Sequence, residues 1–119
     1  MKLCVTSSGQ GLEAKVGDSF DRAAFFNLVD LDTMRCRSLR NLPALPGETG
    51  GKTAAALVSL LEVDGVLTGE IGDYAIHALQ EAGIRVFAGA RGNDSVAEAV
   101  AKFQRGTYQE AALDNEHYL

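Results

Sequence analysis

Residues 63–90 constrain the fold most, because they predict a strand, a glycine turn, a helix, a second strand and a second glycine turn. The short apolar run Val66-Leu67-Thr68 is typical of a strand buried on both faces. The next strand is predicted at Arg85-Val86-Phe87. Two strands joined by a helix pair in parallel with a right-handed crossover. We therefore expect the glycine turns at residues 69–72 and 89–92 to open on the same edge of the sheet, and we expect the functional site there.

The helix between these strands is predicted from the spacing of its apolar residues. Asp73 is placed to cap its start, and Gly83 stands where a left-handed C-cap belongs. An apolar stripe at i, i+3, i+4 and i+7 consists of Ala75, Ala78, Leu79 and Ala82.

The rest of the chain predicts three earlier strands and two further helices. The strands are residues 3–7, 25–31 and 35–42, and the third is expected to be antiparallel at a sheet edge, where its charges discourage further pairing. Residues 46–51 are expected to form a loop. A helix with Ala54, Leu57, Val58 and Leu61 follows, and another starts at the capping box of Ser95 and Glu98 and ends at Gly106. The order β-β-β-α-β-α-β-α predicts an α/β fold with a five-stranded mixed sheet covered by helices.

Composition indicates one folded domain. The chain has 119 residues, 46% of them hydrophobic, which suffices for a core. We expect residues 1–112 to form the domain and residues 113–119 to be an acidic, flexible tail. Weak order is expected to begin already at Thr107. No apolar run has membrane-spanning length and no signal peptide is evident, so we expect a cytoplasmic protein.

The charge is unevenly distributed. A net charge of −5 argues against nucleic-acid binding, but one segment carries Arg35, Arg37 and Arg40 with little acid around them. That segment either faces an anion or forms a solvated surface. Along a strand, Arg35 and Arg37 share one face and Arg40 takes the other, so either the first two or Arg40 lines the site.

A glycine-rich stretch at residues 47–53 looks like a phosphate-binding loop. Pro46 occupies the position where the phosphate-binding motif requires its first glycine, and the preceding residues make a poor buried strand. Nucleotide hydrolysis is therefore not expected. Gly50 and Gly51 can still let a backbone approach a ligand, with the N-terminus of the next helix directed at it.

Few side chains are suited to acid–base or nucleophilic catalysis, so the sequence does not predict an enzyme. His77 falls on the polar face of its helix. Cys4 is expected in the core. Nearby positive charge is expected to lower the pKa of Cys36, which is either a ligating thiol or an inert packed one.

Two consecutive segments resemble a known family. Residues 19–26 (SFDRAAFF) and 29–33 (VDLDT) resemble the H-F-G-R-A-x-Y-F and V-D-x-D-T hallmarks of the dinitrogenase iron–molybdenum cofactor biosynthesis family. Residues 41–51, 66–72 and 82–86 are also similar to that family, in its order. The resemblance implies a ribonuclease H-like domain that carries a metal–sulfur cluster or an iron–molybdenum cofactor precursor without catalysis. Relatives include nitrogenase cofactor carriers and orange proteins, which hold a molybdenum–copper sulfide cluster noncovalently.

Two departures from the family pattern bear on the cargo. Ser19 and Asp21 replace the hallmark histidine and glycine, and residues 48–51 (ETGG) replace a loop that often contains histidine. Iron–sulfur clusters usually need four thiolates, whereas a thiomolybdate-type cluster brings its own sulfides and needs cations and N–H donors.

The expected contacts with an anionic cluster are Arg35, Arg37, Arg40, Gly50, Gly51, Thr68, Gly69, Gly72 and Gly89, with Cys36 as the one candidate metal ligand. The expected partners are this cluster and a cluster-receiving or cell-machinery protein, with neither nucleic acid nor membrane. The alternative is a protein-interaction domain of the same fold that binds no metal.

Overall fold

Five strands form one mixed sheet in this computed structural model, which describes residues 1–41 and 50–111. The spatial order is β3-β2-β1-β4-β5. Strands β1, β4 and β5 are parallel, and β2 is antiparallel to both β1 and β3. The predicted α/β fold is confirmed, and its strand order is ribonuclease H-like. The elements are β1 (Lys2–Ser7), β2 (Phe25–Asp30), β3 (Cys36–Arg40), α1 (Gly50–Ser59), β4 (Gly65–Leu67), α2 (Asp73–Glu81), β5 (Arg85–Phe87) and α3 (Val96–Gln104).

Alternating side chains of β1 divide the core into two halves. Cys4 points to the face covered by α1 and α2, where Val58 and Leu79 pack. Leu3 and Val5 point to the opposite face, which α3 covers. Because the central strands are buried on both sides, they need continuous apolar sequence. For this reason β4 could be predicted from its short apolar run.

Helix α2 confirms one predicted end and corrects the other. Gly83 has φ +80°, and Ile84 N–H donates to Leu79 O at 2.9 Å, which is the expected left-handed cap. Asp73 was wrong as the N-cap, because Gly72 holds the extended backbone (φ −79°, ψ 160°) that precedes the helix, and Asp73 is its first residue. Ala82 was wrong as a core position, since the helix has ended there and Ala82 is exposed.

Helix α3 begins and ends as predicted, but the chain beyond it differs. Ser95 and Glu98 form the capping box, and Gly106 closes the helix at φ +79°. Residues 107–111 are not weakly ordered, because the chain returns to β5. Ala111 N–H donates to Val86 O at 2.7 Å, and Glu110 forms an ion pair with Arg85 at 3.0 Å. Residues 113–119, the predicted tail, lie outside the described residues.

The third strand is shorter than predicted. It covers Cys36–Arg40, so Arg35 precedes it. Leu42 and most of the predicted loop at residues 46–51 lie outside the described residues, as do residues 47–49 of the phosphate-loop-like stretch; α1 already begins at Gly50. None of the described helices is long and apolar enough to cross a membrane.

His77 lies on the solvent face of α2, as predicted. Its side chain is 61% exposed, and Nε2 lies 2.9 Å from Glu81 Oε1. We expect His77→Ala to change the free energy of unfolding by no more than about half a kcal/mol, because exposed substitutions away from special features have small effects. Urea unfolding monitored by circular dichroism would test this, and a loss above about 1.5 kcal/mol would contradict the assignment of this face as solvent-exposed.

Candidate functional site

The two glycine turns open on one edge of the sheet, as predicted. We call it the carboxyl edge, because β1, β4 and β5 all end there. Gly89 N–H donates to Gly69 O at 3.0 Å, and Ala90 N–H donates to Thr68 O at 3.1 Å. The turn after β4 is therefore bonded to the turn after β5.

Asp18 connects the loops of the carboxyl edge. Its main-chain oxygen accepts from Glu70 N–H at 2.7 Å, and its Oδ1 accepts from Gly92 N–H at 2.9 Å. A Cβ on Gly69 would lie 2.3 Å from Asp18 O, so only glycine allows this approach. Asp18 could not be singled out from the sequence, because its partners are distant along the chain.

The two residues that depart from the family hallmark contact each other. Ser19 Oγ donates a hydrogen bond to Asp21 Oδ1. The same segment is attached to the glycine turn, because Phe20 N–H donates to Glu70 O at 2.9 Å. The two substitutions therefore form a local pair at the carboxyl edge.

Three adjoining depressions make this edge one continuous surface. The first, which we call the Ser19 depression, has about 480 Å³ and lies between residues 19–22 and 70–75. The second has about 510 Å³ beside Gly69 and Gly89, and the third has about 450 Å³ beside Ser7 and Ser8. Arg22 lines both the first and the third.

The N-terminus of α2 lines the Ser19 depression. Its first helical hydrogen bond runs from Ile76 N–H to Gly72 O at 3.1 Å. Glycine has no side chain, so Gly72 supplies no side-chain cap. The N–H groups of Asp73, Tyr74 and Ala75 precede that first bond, and they carry the positive end of the helix dipole. This end of α2 can therefore donate to an anion.

The other expected contacts divide between surface and interior. Gly69, Gly72 and Gly89 all lie at the carboxyl edge. Thr68 is fully buried, with Oγ1 2.8 Å from Thr6 Oγ1, so its hydroxyl group forms a hydrogen bond in the interior beneath the turn.

Gly50 and Gly51 are the first two residues of α1. Beyond the other end of this helix, Leu61 lines a depression with Lys2, at the amino end of β1.

The structure separates the predicted arginines. Arg40 pairs with Phe25, which pairs with Ser7 at the end of β1, so Arg40 reaches the carboxyl edge. Its guanidinium group lies 5.2 Å from the centroid of the Phe25 ring. Arg37 pairs with Leu28 in mid-sheet. Arg35 lies at the other end of the sheet, where its carbonyl accepts from Asp30 N–H.

The arginines that line the depressions were not predicted from the sequence. Arg22 and Arg91 line them, together with Asp18, Asp21, Glu70 and Asp73. The carboxyl edge therefore carries more acid than base. Donors engage two of these carboxylates, because Asp18 accepts from Gly92 N–H and Asp21 accepts from Ser19.

Neither cysteine resembles an activated thiol. Cys4 is fully buried, and burial raises its pKa. Burial also raises the pKa of Cys36, against a smaller lowering by the Ser38 hydrogen bond. The expectation that nearby arginines lower it was wrong, because Cys36 Sγ lies 3.5 Å from Asn27 Oδ1, while Arg37 points to the other face. Residues 1–41 and 50–111 contain no group of three or more side chains placed to hold a metal ion.

Comparison with known proteins identifies the family. The model of the dinitrogenase iron–molybdenum cofactor family matches residues 1–106. The chain belongs to this family. It is 34% identical to the orange protein of Desulfovibrio gigas, whose apo form has been solved; the likeness covers 93% of this chain and 92% of that one, with a TM-score of 0.84. A putative NifB protein from Thermotoga is 28% identical over 95% and 97% of the two chains, with a TM-score of 0.74. No curated protein matches the sequence.

Proposed function

We propose that this protein binds and carries an anionic metal–sulfur cluster at the carboxyl edge, without catalysing a reaction. The observation that carries the proposal is the uncapped N-terminus of α2, which faces a depression beside Arg22. Backbone N–H groups at a helix N-terminus and a guanidinium group are the donors that an anion requires. Membership of a family named for the iron–molybdenum cofactor supports cofactor-related binding or carriage.

The chemistry of the available donors favours a cluster that brings its own sulfide ligands. The carboxyl edge offers N–H groups, arginine side chains and carboxylates, whereas both cysteines lie elsewhere in the sheet. A molybdenum–copper sulfide cluster therefore suits this edge better than an iron cluster held by thiolates. An iron–molybdenum cofactor precursor fits if its outer atoms are sulfides.

The acidic surroundings limit how tightly such a cluster is held. Glu70 and Asp73 line the same depression as Arg22, and like charges near an anion weaken its binding. A carrier must also release its cargo, so moderate affinity is compatible with carriage.

The same acidity favours the second candidate function, a protein-interaction domain without metal. Under that alternative, the carboxylates of the carboxyl edge would face a basic partner protein. Metal content and colour separate the two functions.

We expect metal-free protein to form a coloured complex when tetrathiomolybdate and copper(I) are added anaerobically. After gel filtration, molybdenum and copper should elute with the protein in a fixed ratio, as measured by inductively coupled plasma analysis and visible absorption. Heat-unfolded protein is the control for nonspecific adsorption. A folded protein that elutes colourless and free of both metals would favour the interaction domain.

A further inference from the structure

Strand β3 is the outermost strand on one side of the sheet. Asp30 N–H donates to Arg35 O, and Asn41 N–H donates to Ala24 O, both at 2.9 Å. Main-chain bonding alternates along an antiparallel pair, so Arg37 and Leu39 also bond towards β2. The N–H and C=O groups of Cys36, Ser38 and Arg40 consequently point away from the sheet. Within the part of the chain that the structure describes, no strand pairs with this side of β3.

The surface beside β3 combines positive charge with an apolar floor. Arg35 and Arg37 are exposed, and none of the ion pairs among the described residues includes either of them. They border a depression of about 600 Å³, which we call the β3 groove. Its other lining residues are Lys2, Leu28, Asp30, Cys36 and Leu61, and the two leucines are half-buried.

Strand β5 is the outermost strand on the other side of the sheet, and there the chain itself covers the edge strand. There Glu110 forms a bridge with Phe87 of β5, and its carboxylate makes two hydrogen bonds to the Arg85 guanidinium group, at 3.0 and 3.1 Å. A segment that carries a glutamate thus bonds to a strand that carries an arginine. Strand β3 presents the same chemistry, with three arginines between residues 35 and 40.

We propose that β3 and the β3 groove form a docking surface for an extended acidic segment of a partner protein. The segment would add to the sheet as a further strand, bonding to the outward main-chain groups of Cys36, Ser38 and Arg40. Its carboxylates would alternate along one face of that strand and would face Arg35 and Arg37, which border the β3 groove. Charge complementarity would give both specificity and fast association.

A second copy of β3 is disfavoured as the occupant of this surface, because pairing would bring two sets of three arginines together.

The test uses metal-free protein, so its outcome is independent of cluster binding. The probe is the blocked peptide Glu-Val-Glu-Val-Glu-Val-Glu, and the matched control peptide has lysine in place of glutamate. Titration is followed by ¹H–¹⁵N correlation spectra and by amide exchange. We expect saturable shifts confined to β3 and the β3 groove, slower exchange at the amides of Cys36, Ser38 and Arg40, and no response to the lysine peptide.

The double variant Arg35→Glu/Arg37→Glu should bind the acidic peptide at least tenfold more weakly. Arg105→Glu, which reverses an exposed charge at the end of α3, should bind as wild type does. Absence of saturation at millimolar peptide, equal binding of both peptides, or shifts centred on the carboxyl edge would overturn the proposal. A different outcome is that the protein without peptide dimerises as its concentration is raised. If the amides of Cys36, Ser38 and Arg40 exchange slowly in that dimer, the surface binds a second copy of this chain and the proposal is wrong.

Discussion

Gly69→Ala is expected to be the most destabilising single-methyl change at the carboxyl edge. The added Cβ would lie 2.3 Å from Asp18 O, 2.7 Å from Asp18 C and 2.9 Å from Asp18 Cα. These are main-chain atoms, and they cannot rotate away as the end of a side chain can. Relief requires the Asp18 loop to move, which breaks its 2.7 Å hydrogen bond from Glu70 N–H. Overpacking together with this lost bond should cost about 3 kcal/mol.

The matched control is Gly72→Ala, three residues further along the same turn. Gly72 has φ −79°, which any residue adopts, and a Cβ there would meet no atom within 4 Å. We expect its free energy of unfolding to change by less than about 1 kcal/mol, since alanine is only a somewhat poorer N-cap than glycine. Urea unfolding of both variants measures the difference. Equal stability of the two would show that the Asp18 loop does not pack against Gly69.

Gly89→Ala distinguishes steric contact from backbone strain. Gly89 has φ +101°, and a Cβ there would meet no atom within 4 Å. The cost should come from the unfavourable backbone conformation alone, which is about 1–2 kcal/mol. Of the three variants, we therefore expect Gly69→Ala to be least stable and Gly72→Ala to be most stable.

The meeting of the two glycine turns could be predicted because it follows from strand direction. Two parallel strands joined by a helix must end on the same side, and each end carried a glycine turn in the sequence. The direct bond from Gly89 N–H to Gly69 O confirms that the turns meet. The capping box at Ser95 was equally local, so the start of α3 was also predictable.

The charges around the site could not be predicted, because they depend on register and on long-range contacts. Three arginines close in sequence indicated a basic segment beside the cluster, but β3 extends across the sheet and separates Arg35 from Arg40. Arg22 and Arg91 lie in loops that only the folded sheet brings to the carboxyl edge. Glu110 likewise looked like part of an acidic tail until its ion pair with Arg85 placed it on β5.

Arg22→Ala is expected to weaken cluster binding at least tenfold. Its guanidinium group belongs to the segment that lines the Ser19 depression opposite the N-terminus of α2. A bound anionic cluster would accept hydrogen bonds from both. A charge-assisted hydrogen bond contributes about 1.5–3 kcal/mol, which corresponds to roughly a tenfold to hundredfold change in affinity. The dissociation constant for the tetrathiomolybdate–copper complex, measured from its visible absorption, reports the loss.

Arg37→Ala is the matched control, because it removes the same group from mid-sheet, on the face away from Cys36 and Arg40. It should bind the cluster nearly as wild type does. Cys36→Ser should also keep the chromophore, since the raised pKa of this thiol and its contact with Asn27 make it a poor ligand. If Arg22→Ala binds normally while Cys36→Ser is colourless, the cluster is held by a thiolate on β3. The carboxyl edge would then not be the binding site, although the fold would be unaffected.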